Sequence, residues 1–555
     1  MPRPDATSRS DATTRPAPVL YRNGSVYTAA DPFATAMLVD GDTVAWVGSE
    51  QAASSIADSS MEVIDLRGAL VAPGFVDSHI HLTETGIALD SLQLGTATSA
   101  RALLEAVAAA GGEGPVLGHG WDESTWADSA LPSAEELERA SGGRPVYLSR
   151  VDVHSALVSA SLVQSAGLHG KDGYDGGARV MRAAHDAARL ATRQMPQDAL
   201  KRHQARALSE AAANGYVAVA EMGAPHIGGA DDVRLAAGWN GARPGAQSFP
   251  EVLPYWGELV SSEAQARSLV GQLGGSIRGL AGDLTIDGSI GSRTAALRAA
   301  YSDAGQERGS LYLSADQAAA HLAACSLAGI QGGFHVIGDA GLDAALEALD
   351  LAAKEVGEQR VRAAGHRFEH VEMADAAAVA KLAHYSVTVS GQPSFDAAWG
   401  GAGGLYERRL GERSRSMNPF AAFYSAGVPV CFGSDSPVTP LRPWSSVRAC
   451  VEHHNPEQRI SARAAFLGHT RAGWRAARYT NPMAGQLVPG APASFAVWEV
   501  EELMVQVVDG RVQSWSTDPR ARTPLLPALD TGSDPVCLQT VKDGTELFAS
   551  PALRS

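Results

Sequence analysis

Hydrophobic positions along this chain change their period twice. From Val19 to Ile64, apolar and polar residues alternate in short runs: Leu20-Tyr21-Arg22, Ala36 to Asp42, and Thr43 to Gly48, with Asn23-Gly24 and Asp40-Gly41 at their ends. Period-two alternation broken by Asn-Gly or Asp-Gly is the mark of hairpins with one buried face. The same texture returns from Ala493 to Val500 and from Met504 to Val512. Either stretch alone is too small to bury a core, whereas packed together they make one sandwich. The pattern predicts a β-sandwich domain built from residues 18–70 and 480–545, preceded by a flexible tail over 1–17.

Between them the period lengthens and shortens in turn. Helical spacing runs over Leu200–Asn214, Ala315–Ala328, Leu342–Val356, Ala374–His384 and Phe420–Ala426. Near-continuous apolar strands occupy Tyr216–Glu221, Gly333–Ile337, Arg367–Val371, Val387–Ser390 and Val428–Gly433. Repeated βα units with strands apolar on both faces predict parallel pairing. The expected class is α/β, a (β/α)8 TIM-like barrel over residues 71–479, with a doubly wound open sheet as the alternative. Residues 99–197 exceed one βα unit and are expected to be an insertion that shapes a pocket.

Composition narrows the function. A hydrophobic content of 45% is that of a globular chain, and a net charge of -16 argues against a nucleic-acid partner, which needs clustered Lys and Arg. Four scattered cysteines without CxxC spacing suggest neither a disulfide framework nor a thiolate metal site. The polar N-terminus lacks the apolar core of a secretory signal, and no apolar run approaches the ~20 residues of a membrane helix. A cytoplasmic enzyme with a small-molecule substrate, no membrane partner and a homodimeric assembly is the expectation.

Chemistry enters at Ala72-Pro73-Gly74-Phe75-Val76-Asp77-Ser78-His79-Ile80-His81. Alternation along a strand puts His79 and His81 on one side, half of a metal site. His335, His370 and Asp435 stand at the ends of later strands, where barrel enzymes carry their reactive groups. Each histidine alone is more often structural; their joint placement makes the metal-site reading.

The ordered motifs His79-x-His81, Asp287-Gly288-Ser289-Ile290-Gly291-Ser292-Arg293, His335-Val336-Ile337-Gly338-Asp339, Phe368-Glu369-His370, Gln392-Pro393-Ser394-Phe395 and Gly433-Ser434-Asp435-Ser436-Pro437 resemble the amidohydrolase superfamily. More narrowly they are similar to its amidohydrolase-3 or YtcJ-like branch, which includes N-substituted formamide deformylases. The resemblance implies a metal-bearing barrel on a β-sandwich, with His79, His81, His335 and His370 as ligands and Asp435 as ligand and general base. It implies hydrolysis of amide-type C–N bonds by hydroxide generated at the metal, with N-substituted formamides or other linear amides as substrates. Cyclic amides or amidines are the alternative within the class, and a non-catalytic binding scaffold the alternative outside it.

One position departs from the family pattern. Many members carry a carbamylated lysine four residues before the Asp-Gly-Ser aspartate; here Asp283 stands there, and no lysine occurs between Lys201 and Lys354. A carbamate bridge is excluded. Asp283 could ligate a second metal or stand behind a single one, and one divalent metal, zinc first among the candidates, is favoured over two. Arg293, His119, Trp121 and His154 fall at places similar to family pocket motifs and are the expected substrate contacts, each with packing or an internal salt bridge as its alternative role.

Overall fold

The apolar run Leu70–Ile80 breaks at Gly74 into two strands that serve different parts of the fold. A Cβ on Gly74 would lie 2.2 Å from the Val217 side chain, so only glycine lets the chain pass this close to its neighbour. In the computed structural model, which describes residues 17–241, 247–506, 515–516, 524–530 and 532–554, Leu70–Pro73 pairs outward and Phe75–Ile80 begins a barrel. Residues 1–16, where the tail was expected, and residues 507–512 of the second β stretch read from the sequence lie outside the described residues.

Leu70–Pro73 lies antiparallel to Phe495–Glu499, with Val71 opposite Val497 and Ala72 opposite Ala496. The sheet continues through Val536–Lys542 to Thr545–Ala549 on one side and to Ser25–Val26 on the other. Facing it is a second sheet of Thr43–Gly48, Ala36–Asp40, Val19–Arg22 and Glu62–Asp65. Asp40 pairs with Thr43 around Gly41-Asp42, as the Asp-Gly signal predicts. Tyr21, Met37 and Val39 of one sheet share a core with Val71, Phe495 and Val497 of the other. Both ends of the chain thus contribute to one apolar layer.

The barrel strands are Phe75–Ile80, Tyr216–Gly223, Glu251–Val252 with Tyr255–Trp256, Gly279–Leu280, Gln331–Val336, Arg367–His370, Thr388–Gly391 and Val430–Phe432. All neighbours pair in parallel, and Ile80 bridges Ser436 to bring the last strand round to the first. The expected α/β barrel is therefore present. Its alanine-rich helices form where the 3.6 period indicates. Ser314 Oγ accepts from Gln317 N at 3.2 Å while Gln317 Oε1 accepts from Ser314 N at 3.0 Å, a reciprocal cap that starts Ala315–Ala328.

Two strands escape the periodicity. Glu251–Val252 and Tyr255–Trp256 are one strand position interrupted at Leu253-Pro254, and Gly279–Leu280 is two residues long. Pro254 has no N–H for the ladder, and so short a strand leaves no hydrophobic run to read. A separate five-stranded sheet runs from Leu92–Gln93, just before the expected insertion, to Arg179–Met181 within it, leading into helix Arg182–Thr192.

Trp498, 2% exposed, joins the two parts. Its ring lies 5.7 Å from Phe75 and 5.6 Å from Trp444, both near edge-on. Trp498→Ala is expected to lose about 3–5 kcal/mol of stability, read as a lowered urea midpoint in equilibrium unfolding.

Candidate metal centre

The N-terminal pair comes from a strand whose exit is set by backbone pairing. His79 O accepts from Asp435 N at 2.8 Å, and His81 N donates to Ser436 O at 3.0 Å, which brings the two histidines and Asp435 to one rim. His81 Nε2 lies 3.2 Å from Asp435 Oδ1 and 3.3 Å from Asp283 Oδ2. His79 Nε2 lies 3.4 Å from Asp435 Oδ1 and 3.6 Å from Asp283 Oδ1. His335 Nδ1 reaches the same Asp283 oxygen at 3.8 Å, and the His335 and His370 rings stand 4.4 Å apart. All six side chains are buried.

Three of the four imidazoles are aimed by a fixed partner on their other nitrogen, while His81 Nδ1 is buried without one. His79 Nδ1 donates to Glu369 Oε2 at 2.9 Å, His370 Nδ1 to Gln392 Oε1 at 2.7 Å, and His335 Nε2 to the Gly288 carbonyl at 3.3 Å. These contacts leave His79 Nε2, His370 Nε2 and His335 Nδ1 facing inward. Glu369 is itself clamped by Arg367 at 2.6 and 2.8 Å. Burial opposes its ionisation, but Arg367 and His79 outweigh burial and hold its carboxyl at about 2. His370 and Asp435 both adopt left-handed backbone, φ 69° and 54°, a conformation that non-glycine residues keep only when their surroundings impose it.

The donor set fits a divalent cation. His79 Nε2 and Asp283 Oδ1 are buried without a hydrogen-bond partner, although both belong to strongly polar groups. His79, His81 and Asp435 place one ligand atom each within 4.8 Å of one another, as do His79, Asp283 and His370. Burial resists a charge on His79 and His81, yet the neighbouring carboxylates raise both, His81 well above its ordinary value. Burial likewise resists ionisation of Asp283, but His81 and His335 hold it well below the usual carboxylate range. Two carboxylates among inward-facing imidazoles are the makings of a metal site.

Residues 62–548 match the profile of the Amidohydrolase family. The chain belongs to that family. It is 26% identical to "Protein LONG AFTER FAR-RED 3" of Arabidopsis thaliana over 520 residues, covering 87% of each chain. It is 24% identical to the YtcJ amidohydrolase of Bacillus subtilis over 454 residues, 78% of this chain and 83% of that one. An N-substituted formamide deformylase of Arthrobacter pascens is 27% identical over 156 residues, 27% of this chain and 29% of its own. In fold it is similar to an uncharacterized metal-dependent hydrolase from Pyrococcus furiosus, with a TM-score of 0.66 at 24% identity over 86% of this chain and 98% of that one. The resemblance drawn from the motifs is thereby borne out, and the chain is an amidohydrolase-family hydrolase acting on small molecules.

Beside the amidohydrolase centre a cavity of about 410 Å³ opens past His81 and Asp283, walled by Glu84, His154, His185, Asp186, Arg189 and His226. Of the four expected substrate contacts, only His154 lines it. Trp121 is fully buried in the insertion core, its Nε1 donating to Leu148 O at 2.8 Å. His119 Nε2 donates to Pro437 O at 2.9 Å in a separate small cavity. Arg293 forks onto Asp303 at 2.7 and 3.1 Å, which occupies the planar donors a substrate would need. Packing, loop fixing and an internal salt bridge are what these three do. Sequence reasoning gave no role to Glu369, Gln392 or Arg189; Glu369 sits beside His370 in its motif, and Gln392 opens the separate motif that follows strand Thr388–Gly391.

Glu369→Gln removes the charge that orients His79 and is expected to weaken metal binding by roughly 10- to 100-fold. Competition against a chromophoric chelator measures this directly.

Proposed function

We propose that this chain is a divalent-metal-dependent amidohydrolase that cleaves the C–N bond of small linear amides, N-substituted formamides among them, with Asp435 as general base. One observation carries the reading: Asp435 stands within 3.4 Å of both His79 and His81, and His81 with Asp283 lines the 410 Å³ cavity. The partial likeness to the formamide deformylase supports the substrate class. His79, His81, His335, His370, Asp283 and Asp435 would hold the ion, and a borderline divalent cation such as zinc suits that mixture of imidazole and carboxylate. When bound, the cation supplies Lewis acidity to the carbonyl oxygen and acidifies water.

The protein's part is geometric. Asp435 N donates to His79 O, and Asp435 O accepts from Val438 N at 2.8 Å, so the backbone that carries the carboxylate is fixed beside the histidines. A carboxylate so held orients a water, takes its proton as the C–O bond forms, and returns that proton to the departing nitrogen. His154 lies on the cavity side, its ring 5.3 Å from His335. Burial and the nearby His335 push it down to about 4, so at neutral pH it offers a neutral N–H or lone pair to a substrate. Asp283 touches His81, His79 and His335 at once, which supports a ligand role for it.

Metal content by elemental analysis on wild type and Asp283→Ala, with a formamide panel assayed on the same samples, tests the reading. One ion per chain is expected, bound more weakly in Asp283→Ala; two ions falling to one would make Asp283 a shared ligand. Protein that purifies and works without metal would overturn the hydrolase mechanism. Asp435→Asn is expected to lower kcat by about 10²–10⁴, measured on metal-reconstituted protein.

A further inference from the structure

Helix Arg182–Thr192 lays Arg182, His185, Asp186 and Arg189 along the wall of the large cavity. Most charges there already have partners. Arg182 is forked by Asp172 at 2.8 and 2.9 Å, and Glu84, also on the cavity wall, is forked by Arg193 at 2.7 and 2.6 Å. Asp283 belongs to the metal centre.

Arg189 differs. It is 8% exposed, and among the described residues no carboxylate lies within 4.0 Å of it. Its Nη2 donates to the Val153 carbonyl at 2.8 Å and lies 3.5 Å from His185 Nδ1, while the Tyr147 hydroxyl that meets His185 at 2.8 Å is its other polar neighbour. These partners are neutral: burial, with Arg189 itself, keeps His185 well below its ordinary value. Asp186 sits one turn back on the same helix without reaching the guanidinium. A desolvated guanidinium with donors left over from these neutral contacts and no contacting counter-charge favours an anion with two oxygens in a plane.

Resting on the hydrolase reading above, we propose that Arg189 is the counter-charge for a carboxylate on the substrate, so that the preferred substrates are amides carrying a carboxylate at the end away from the scissile bond. The cavity connects the two groups, running from Asp283 and His81 to Arg189 within about 410 Å³, a volume that holds a molecule of that size. Glu84 is neutralised by Arg193 and Arg182 by Asp172, which leaves Arg189 and Asp186 as the charges on that wall without an ion-pair partner among the described residues, Arg189 the more deeply buried of the two.

Calorimetric titration of EDTA-treated full-length protein with hexanoate and with hexanamide, an acid and a neutral molecule of one shape, reads the anion site without metal. Wild type is expected to bind hexanoate at least about tenfold more tightly. Arg189→Gln should abolish the difference, Arg189→Lys should keep part of it, and Asp186→Asn should leave hexanoate binding equal or tighter. Equal binding of the two probes by wild type, or a preference that survives Arg189→Gln, overturns the proposal; if Arg189→Gln does not fold, the lysine and Asp186→Asn variants decide. Metal-loaded protein is then assayed on 5-formamidopentanoate and its carboxamide, where the ratio of kcat/KM should favour the acid and fall about 10- to 100-fold in Arg189→Gln, chiefly through KM. Hydrolysis of both without preference removes the anion site alone. An Arg189-dependent preference in binding with no hydrolysis of either removes the hydrolase reading alone.

Discussion

The structure depends on the seam where the first barrel strand meets the last. Asp77 holds it from inside: its Oδ1 accepts from His79 N at 3.1 Å and from Ser434 N at 2.9 Å. Burial pushes this carboxyl up to about 6, with the two N–H donors pulling the other way. A Cβ on Gly433 would come within 2.4 Å of His79 N, so the close approach needs a glycine there. The same ladder that closes the barrel sets Asp435 beside His79 and His81. Closure and ligand placement are one event, which makes the site a product of contacts distant in sequence rather than of any local motif.

Charge in the centre follows from that geometry. Imidazoles and carboxylates are forced into one buried volume, and without a cation the protons must be shared among them. The carboxylates raise His79, His81 and His335, while burial and the facing histidines depress His370 well below its ordinary value. The raised groups lie where a cation would take the place of their protons, so binding an ion releases protons and relieves the packing of like donors. Glu369 and Arg367 complete the arrangement from behind. Arg367, buried, also donates to Ser390 Oγ at 2.9 Å and lies 4.9 Å over the Tyr255 ring, so a charge that aims His79 is itself held by three strands.

What could be read in advance tracks what has a period. Ala315–Ala328 and Phe420–Ala426 were legible to the residue, because helical spacing ends at a glycine in left-handed conformation in both, Gly329 at φ 69° and Gly427 at φ 75°. The strand at 279–280 was not, since two residues carry no period. In the site, the histidines and Asp435 stood out because ligands must sit at strand ends. Arg293 and Trp121 stood out through their likeness to family pocket motifs, and a motif does not say whether its members face a substrate or each other. Arg189 had no motif at all. Its position on a cavity wall follows from how the insertion packs, which no local pattern encodes.

That packing explains the motifs that do not reach the metal. Asp152 accepts from Ser289 Oγ at 2.8 Å and from Ser292 Oγ at 2.7 Å, tying the insertion to the loop that follows Asp283. Arg150 grips Asp122 at 2.6 Å and Glu123 at 2.8 Å on the other side, and Asp152 itself at 3.3 Å. Val153, next along, supplies the carbonyl that fixes Arg189, and His154 follows it on the cavity wall. One short segment therefore registers the specificity wall against the metal ligands. The barrel can keep its chemistry while the helix behind that segment changes, because Asp287 anchors its own loop independently through Ile337 N and Gly338 N at 2.9 and 2.8 Å. Under the proposals for Asp435 and Arg189, substrate choice belongs to the insertion and bond cleavage to the barrel, joined through hydrogen bonds at Asp152.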